Sequence, residues 1–361
     1  MKRSLLALAV SASILAPTLA LADGPKVYGR MDVSLDNVSI DDGTDGDNNS
    51  GSNWAVTSHA SRFGVKGSAE LLSNLDAVYK IEWEVDAEGD SETLKARNRY
   101  VGLKGGFGSV LLGQMDTPLK KAQGKIDLFG DHAGDIKNVV EGELRAKNVI
   151  AYITPKIADS ITAKLALVQV EENEADSDGC DNLIESDGSI TGDDCENGLF
   201  DAYSASVAFS QGGMYAAIAI DDNVPAKKLK ENGKRVDTTR LVLGYKLDAL
   251  KLGFLYSTSE EDSAYNDSTK NLEEQTGYIL SGSYKIGKTV LKGQYGSSTT
   301  EMDNADDDIE ITMIAFGAEQ KFTKQTKLYA EYVLLSTDNA GHDKGVDEEE
   351  NTLSVGIQHK F

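Results

Sequence analysis

Apolar residues recur at every second position along most of the chain. Within residues 27–35, Val27, Gly29, Met31, Val33 and Leu35 share one face, while Tyr28, Arg30, Asp32 and Ser34 share the other. Within 62–68, Phe63 and Val65 oppose Arg62, Lys66 and Ser68; within 77–85, Tyr79, Ile81, Trp83 and Val85 oppose Lys80, Glu82 and Glu84. Such alternation predicts strands with one apolar and one charged face. It returns at 161–167, 203–209, 214–220, 241–247, 250–256, 278–286 and 328–334, and it closes the chain at 353–361.

The connections between these segments alternate in length. Short ones fall near 72–74, 105–107, 156–159, 211–213, 248–250, 287–288 and 323–325. Long ones fall at 41–53, 86–93, 116–147, 171–199, 221–235, 259–274, 300–308 and 338–349. They separate about sixteen strands of the ~10-residue kind that builds outer-membrane barrels, with short turns on the periplasmic side. An even number leaves both termini on one side, so the first and last strands can pair and remove every sheet edge. A soluble all-β protein would share the alternation. Uniform strand length, mid-strand charge and long loops on one side only favour an all-β, antiparallel, 16-stranded transmembrane barrel. Residues 116–147 lack alternation altogether, and a loop of that length among strands is usually functional.

Composition narrows the class. The chain has 361 residues, with 35 Gly, 14 Tyr and 5 Pro, which suits a large sheet with tight turns. Lys2 and Arg3 precede an apolar run over residues 5–15, and Ala20-Leu21-Ala22 is an A-x-A cleavage site. Residues 1–22 therefore read as a signal peptide and residues 23–361 as a single barrel. The apolar run is shorter than the ~18–20 residues a helical span needs. The formal charge of −23 becomes −25 once Lys2 and Arg3 are removed, which argues against nucleic acid as a partner. Cys180 and Cys195 lie close together in one polar stretch and read as a disulfide in an oxidising compartment. Most of the negative charge sits in the long loops, for instance in 41–53, 171–182, 303–308 and 347–351. Solvation explains it; bridging of lipopolysaccharide phosphates through Ca²⁺ or Mg²⁺ is the sharper alternative. No cofactor is expected.

A pore selects by diameter and by the charge lining its narrowest point. Asp127, Asp131, Asp135 and Glu141 are the acidic candidates within 116–147. Arg30, Arg62, Lys66, Lys80, Arg97 and Arg99 are the basic ones on the faces that alternation marks as lumenal. Between the two sets a transverse field would orient dipolar solutes. Tyr79, Trp83, Tyr245, Phe254, Tyr278, Tyr284 and Tyr332 are expected in interfacial girdles, and Gly29 and Gly67 at a subunit contact. An enzyme is disfavoured: no metal spacing, phosphate-cradling loop or nucleophile elbow appears. Alternation sets none of His59, His132, His342 and His359 beside a Ser and an acid. A surface adhesin or receptor barrel and an outer-membrane phospholipase are the competing functions.

The last strand, NTLSVGIQHKF, alternates Leu353, Val355, Ile357 and His359 and ends on Phe361. A terminal Phe there resembles the assembly signal that the barrel-assembly machinery reads. GIQHKF, VYGRMDVSLD, SRFGVKGSAEL, RYVGLKGGFGSVLLGQMDTPL and DLFGDHAGDI together resemble the general porins of Neisseria and related proteobacteria. The resemblance implies a homotrimer of water-filled channels in the outer membrane, with the third long loop, 116–147, folded into the lumen. It implies passive diffusion of ions and small hydrophilic solutes, with outer-membrane lipid and lipopolysaccharide around the barrel. This chain has Gln114 and Ala151 where the family often carries basic inward residues, which points to a lumen leaning weakly toward cations.

Overall fold

Hydrocarbon offers no partner to a backbone N–H or C=O, so a sheet that crosses it must close on itself. The computed structural model describes residues 23–41, 51–89, 94–169, 202–227, 235–261, 274–301, 308–338 and 347–361. The leader at 1–22, Cys180, Cys195 and most of the acidic outer-loop residues lie outside them.

The strands in chain order begin with β1 (Asp23–Asp41), β2 (Gly51–Ser58), β3 (Arg62–Leu72), β4 (Leu75–Glu84), β5 (Lys95–Gly105) and β6 (Gly108–Asp116). After the third loop come β7 (Arg145–Ile153), β8 (Ile161–Val168), β9 (Ala202–Gln211), β10 (Met214–Pro225), β11 (Arg235–Leu247) and β12 (Leu250–Glu261). The last five are β13 (Glu274–Ile286), β14 (Thr289–Glu301), β15 (Ile309–Lys321), β16 (Thr326–Asp338) and β17 (Glu348–Lys360). Chain neighbours pair antiparallel, except β2 and β3, which do not pair with each other. β2 and β3 pair with successive parts of β1 and form one stave interrupted at residues 59–61, so the described residues make a sixteen-stave barrel.

Closure runs through β1 and β17, in register from Arg30 opposite Lys360 to Asp41 opposite Glu349. Gly29 and Phe361 exchange both backbone hydrogen bonds, at 2.9 and 3.1 Å. A side chain at Gly29 would collide with the Phe361 ring, so this glycine seats the terminal aromatic. Tight turns close the other end; Asn74 (φ 77°) and Gly287 (φ 60°) take the left-handed conformations such turns need.

The two faces separate as the alternation predicts. On β17, Val355 is 58% exposed and Thr352 3%. Leu241, Leu243, Leu252, Leu280, Leu328, Tyr245, Tyr278, Tyr284 and Tyr332 likewise look outward. The apolar pattern is not confined to the outside, however. Val242, Leu255, Ile279, Met313 and Ala315 sit on the opposite faces of their strands and are fully buried. They meet Leu119, Ala122, Ile126, Phe129, Ile136, Val139 and Val140, all from the segment between β6 and β7. That segment is therefore a small hydrophobic layer packed against the inner wall of β10–β16. Each buried Val, Leu, Ile, Met or Phe side chain in this layer contributes roughly 1.5–3 kcal/mol.

Gly277 on β13 makes the close approach feasible, because an added Cβ would stand 2.6 Å from Val140. Gly277→Val should therefore unseat the loop at a cost of about 1–3 kcal/mol while leaving the barrel folded. The check is limited proteolysis of the detergent-solubilised protein: cleavage within 117–144 should accelerate, and an unchanged rate would contradict the packing.

Candidate pore constriction

Residues 117–144 leave and rejoin the barrel at one point, where Asp116 pairs with Arg145 in register and by an ion pair of 2.8 Å. Thr117 caps helix α1 (Pro118–Ala122), and Pro at its first turn needs no N–H partner. Tyr215 donates to the Ala122 carbonyl at 2.8 Å. The chain then crosses the lumen, and Asp135 caps a 3-10 turn at Ile136–Asn138. Polar side chains of the wall satisfy its backbone. Gln294 accepts from Leu128 N and donates to Gly134 O, both at 2.9 Å. Ser298 donates to Val139 O at 2.7 Å, and Gln275 accepts from Glu141 N at 2.8 Å. Backbone groups in a water-filled tube are thus held in one conformation by specific partners.

At the tip of the crossing lies Asp131, with a left-handed φ of 71° that Asp tolerates. Its Oδ2 accepts from Arg30 at 2.8 Å and from Arg62 at 2.6 Å. Burial disfavours its charge, but Arg62, Arg30 and Arg97 outweigh that and hold its pKa at about 2. Asp127 faces the opposite balance. Burial and the nearby Asp135 carboxylate push its pKa well above the ordinary range. Asp135 accepts from Asp131 N at 2.7 Å. Asp116, Asp127, Asp131, Asp135 and Glu143 line a cavity of about 260 Å³ together with the cations Arg97, Lys120, Lys121 and Arg145.

Three sequence-based expectations need correction. Arg99 is not lumenal. Glu82 alone on β4 faces both Arg97 and Asn98 on β5, a bulge that reverses the alternation between Arg97 and Arg99. Arg97 therefore points inward to Glu82 and Glu84, whereas Arg99 lies outside over the Trp83 ring at 5.2 Å. Gln114 pairs with Arg99 and shares that outward face, so its lack of charge does not alter the lumen; Ala151 is inward and buried. Glu141 is not on the cavity surface. It is buried and accepts from Gly142 N and Lys227 N, tying the loop to the end of β10. Lys66 and Lys80 are inward, beside the Tyr28 ring, with Lys80 3.1 Å from Glu82.

Sequence reasoning missed a second anchor. His132, next to Asp131, puts Nδ1 2.9 Å from Glu331 and Nε2 3.5 Å from Asp32, and it stacks on His59 at 4.4 Å. Burial opposes its charge, but the Asp32 and Glu331 carboxylates prevail and raise its pKa to about 9. No local signal marks this cluster, because Glu331 lies 199 residues away. His59 also sits beside a Ser and an acid, contrary to the expectation from alternation: its Nε2 is 2.5 Å from Ser34 Oγ and 3.6 Å from Asp36. A hydrolytic triad would place acid and Ser on opposite ring nitrogens; here one nitrogen faces both, and Ser34 is buried. Lys120, Lys121 and Glu143 share the loop with the acidic candidates, and no periodicity there separates charges at the cavity from buried ones such as Glu141. Glu143 pairs with Arg240 at 2.8 Å, and burial still raises its pKa.

Comparisons with known proteins agree with this architecture. A family model described as Gram-negative porin matches residues 7–340. The major outer membrane protein P.IB of Neisseria meningitidis serogroup B is 27% identical over 379 residues, covering 100% of both chains. The Neisseria sicca protein of the same name is 26% identical, also over the whole of both. Among solved structures, the anion-selective porin from Comamonas acidovorans superposes with a TM-score of 0.66 at 20% identity, covering 94% of this chain and all of that one. The trimer form of OmpT from Vibrio cholerae gives 0.64 at 19%, covering 94% and 99%.

The His132 anchor makes the loop pH-sensitive in a defined direction. Its folded-state pKa stands above the free value of 6.5, so its stabilisation is complete below that value and is lost as pH rises through about 9. The melting temperature in detergent should fall more steeply above neutral pH in the native protein than in His132→Gln. Parallel curves would show that the ring carries no charge in the folded state. Separately, Asp131→Asn should free Arg30 and Arg62 and shift permeability toward anions, read as a reversal potential under a salt gradient. No shift would show that the Asp131 cluster lies off the ion path.

Proposed function

Since this chain belongs to the Gram-negative porin family, and so forms an outer-membrane channel, we propose that its lumen passes ions and small hydrophilic solutes by passive diffusion with a weak preference for cations. The observation that carries this reading is the 260 Å³ cavity inside the closed barrel, whose lining includes five carboxylates, those of Asp116, Asp127, Asp131, Asp135 and Glu143, and four cations. Many wall cations are already engaged: Arg30 and Arg62 with Asp131, Arg97 with Glu82 and Glu84, and Arg240 with Glu143. An engaged guanidinium attracts a passing anion less than a free one. The neutral, inward Ala151 and the formal charge of −23 point the same way. Charges that stay partly hydrated need not be neutralised individually, so the lumen remains wet.

The same reading includes a leader at residues 1–22 removed on export, Phe361 as the assembly signal, and a homotrimer. The Vibrio cholerae neighbour described as a trimer form supports the last of these.

Reversal potentials across a planar bilayer under a KCl gradient test the selectivity directly. A small cation preference at neutral pH is expected, and it should strengthen as pH rises. Asp127 and Glu143 both have raised pKa values, so they gain their negative charge at higher pH than ordinary carboxylates. A preference for anions, or one that grows on acidification, would overturn the reading. Channel closure in steps of three would report the trimer.

A further inference from the structure

The short-turn end of the barrel holds a second cavity, of about 520 Å³, that takes no part in the constriction. Lys288, Lys321, Lys324, Lys327 and Lys360 line it, and no Asp or Glu does. The backbone fixes their convergence. Lys321 N donates to Lys288 O, and Lys360 N donates to Gln325 O, both at 3.0 Å, which ties the β13–β14 turn, the β15–β16 turn and the end of β17 together. Register sets Lys321 opposite Lys327, Lys327 opposite Gln358, and Lys360 opposite Arg30. Gln358 and Arg30 reach Asp32 and Asp131 inside the barrel, so this face looks into the lumen.

Counter-charge is scarce there. Glu319 is the acid among the charged neighbours of Lys360, and it is already bonded to Lys327 at 2.7 Å and faced by Lys292 at 3.5 Å. Among the described residues, Lys288, Lys321, Lys324 and Lys360 form no ion pair. A strongly acidic chain therefore gathers unneutralised ammonium groups at one mouth. Lysines act as point charges on flexible stems and suit a compact oxyanion, whereas planar carboxylates favour the Arg fork. Several converging ammonium groups also select for an anion carrying more than one charge.

We propose that the periplasmic mouth of this channel is a binding site for a compact multivalent anion of the diphosphate type, held by Lys321, Lys324 and Lys360 with Lys288 on the facing wall. An anion seated there lies below Arg30 on the conduction path and would impede flow from the periplasmic side.

Calorimetric titration of the detergent-solubilised protein with inorganic pyrophosphate tests this. Saturable binding is expected, weakened about tenfold or more when Lys321, Lys324 and Lys360 are all changed to Gln, the loss of one or two charge-assisted hydrogen bonds. The three side chains are exposed at strand ends and turns, and a heat-modifiable gel shift confirms that the variant barrel is folded. Glu319→Gln, which removes the nearby acid, should tighten binding. In planar bilayers, pyrophosphate on the short-turn side should reduce current at lower concentration than on the loop side. Unchanged affinity in the triple variant, or loss of binding in Lys120→Gln/Lys121→Gln instead, would overturn the proposal.

Discussion

A backbone amide in hydrocarbon has only other backbone amides to bond, and the architecture follows from that constraint. A chain of alternating strands can meet it only by pairing its first strand with its last. Here the closing pair is β1 with β17, ended by the reciprocal bonds between Gly29 and Phe361. Closure creates the inside. Once one face of every strand must meet lipid, the other face is free to carry Arg, Lys, Asp and Glu, because it encloses water.

That interior is not simply a wet surface. Part of it is a protein core in miniature, in which apolar residues of the third loop pack on apolar residues of the wall. The remainder divides into charge systems with separate roles. Asp131 with Arg30 and Arg62, and His132 with Asp32 and Glu331, hold the loop tip against the side of the barrel formed by β1, β3 and β16. Hydrophobic docking fixes the loop at one side and buried ion pairs fix it at the other, so the gap beside it keeps a defined width. Breaking one partner of such a pair leaves a charge with costly surroundings, which gives the anchor its stiffness. Asp127, Asp135, Lys120 and Lys121 border the gap itself.

The alternation alone contained the strands, their faces, the short turns and the even stave count. Its failures are local and physical. A β-bulge at Arg97–Asn98 turned Arg99 outward, and a bulge leaves no mark in a two-residue period; Gln114, set inward by the resemblance alone, alternates with exposed Val110 and Leu112. Inward Val242, Leu255 and Ile279 are visible in sequence as apolar residues on the wrong face, a signal that something apolar docks there. The His132 cluster could not be read at all, since it joins β1, the third loop and β16 through the curvature of the closed barrel. Of the candidate charges, those on regular strands fell where alternation placed them. Within the loop, Asp127, Asp131 and Asp135 reach the cavity, and Glu141 became an internal tie.

The central claim is that the apolar side of each strand meets hydrocarbon while the ionised side encloses water. A spin-label scan along β17 in lipid vesicles measures this most directly. Labels at Leu353, Val355 and Ile357 should collide with oxygen, and labels at Thr352, Ser354 and Gln358 with a water-soluble nickel chelate, alternating residue by residue. The reverse phase, or no alternation, would contradict the account.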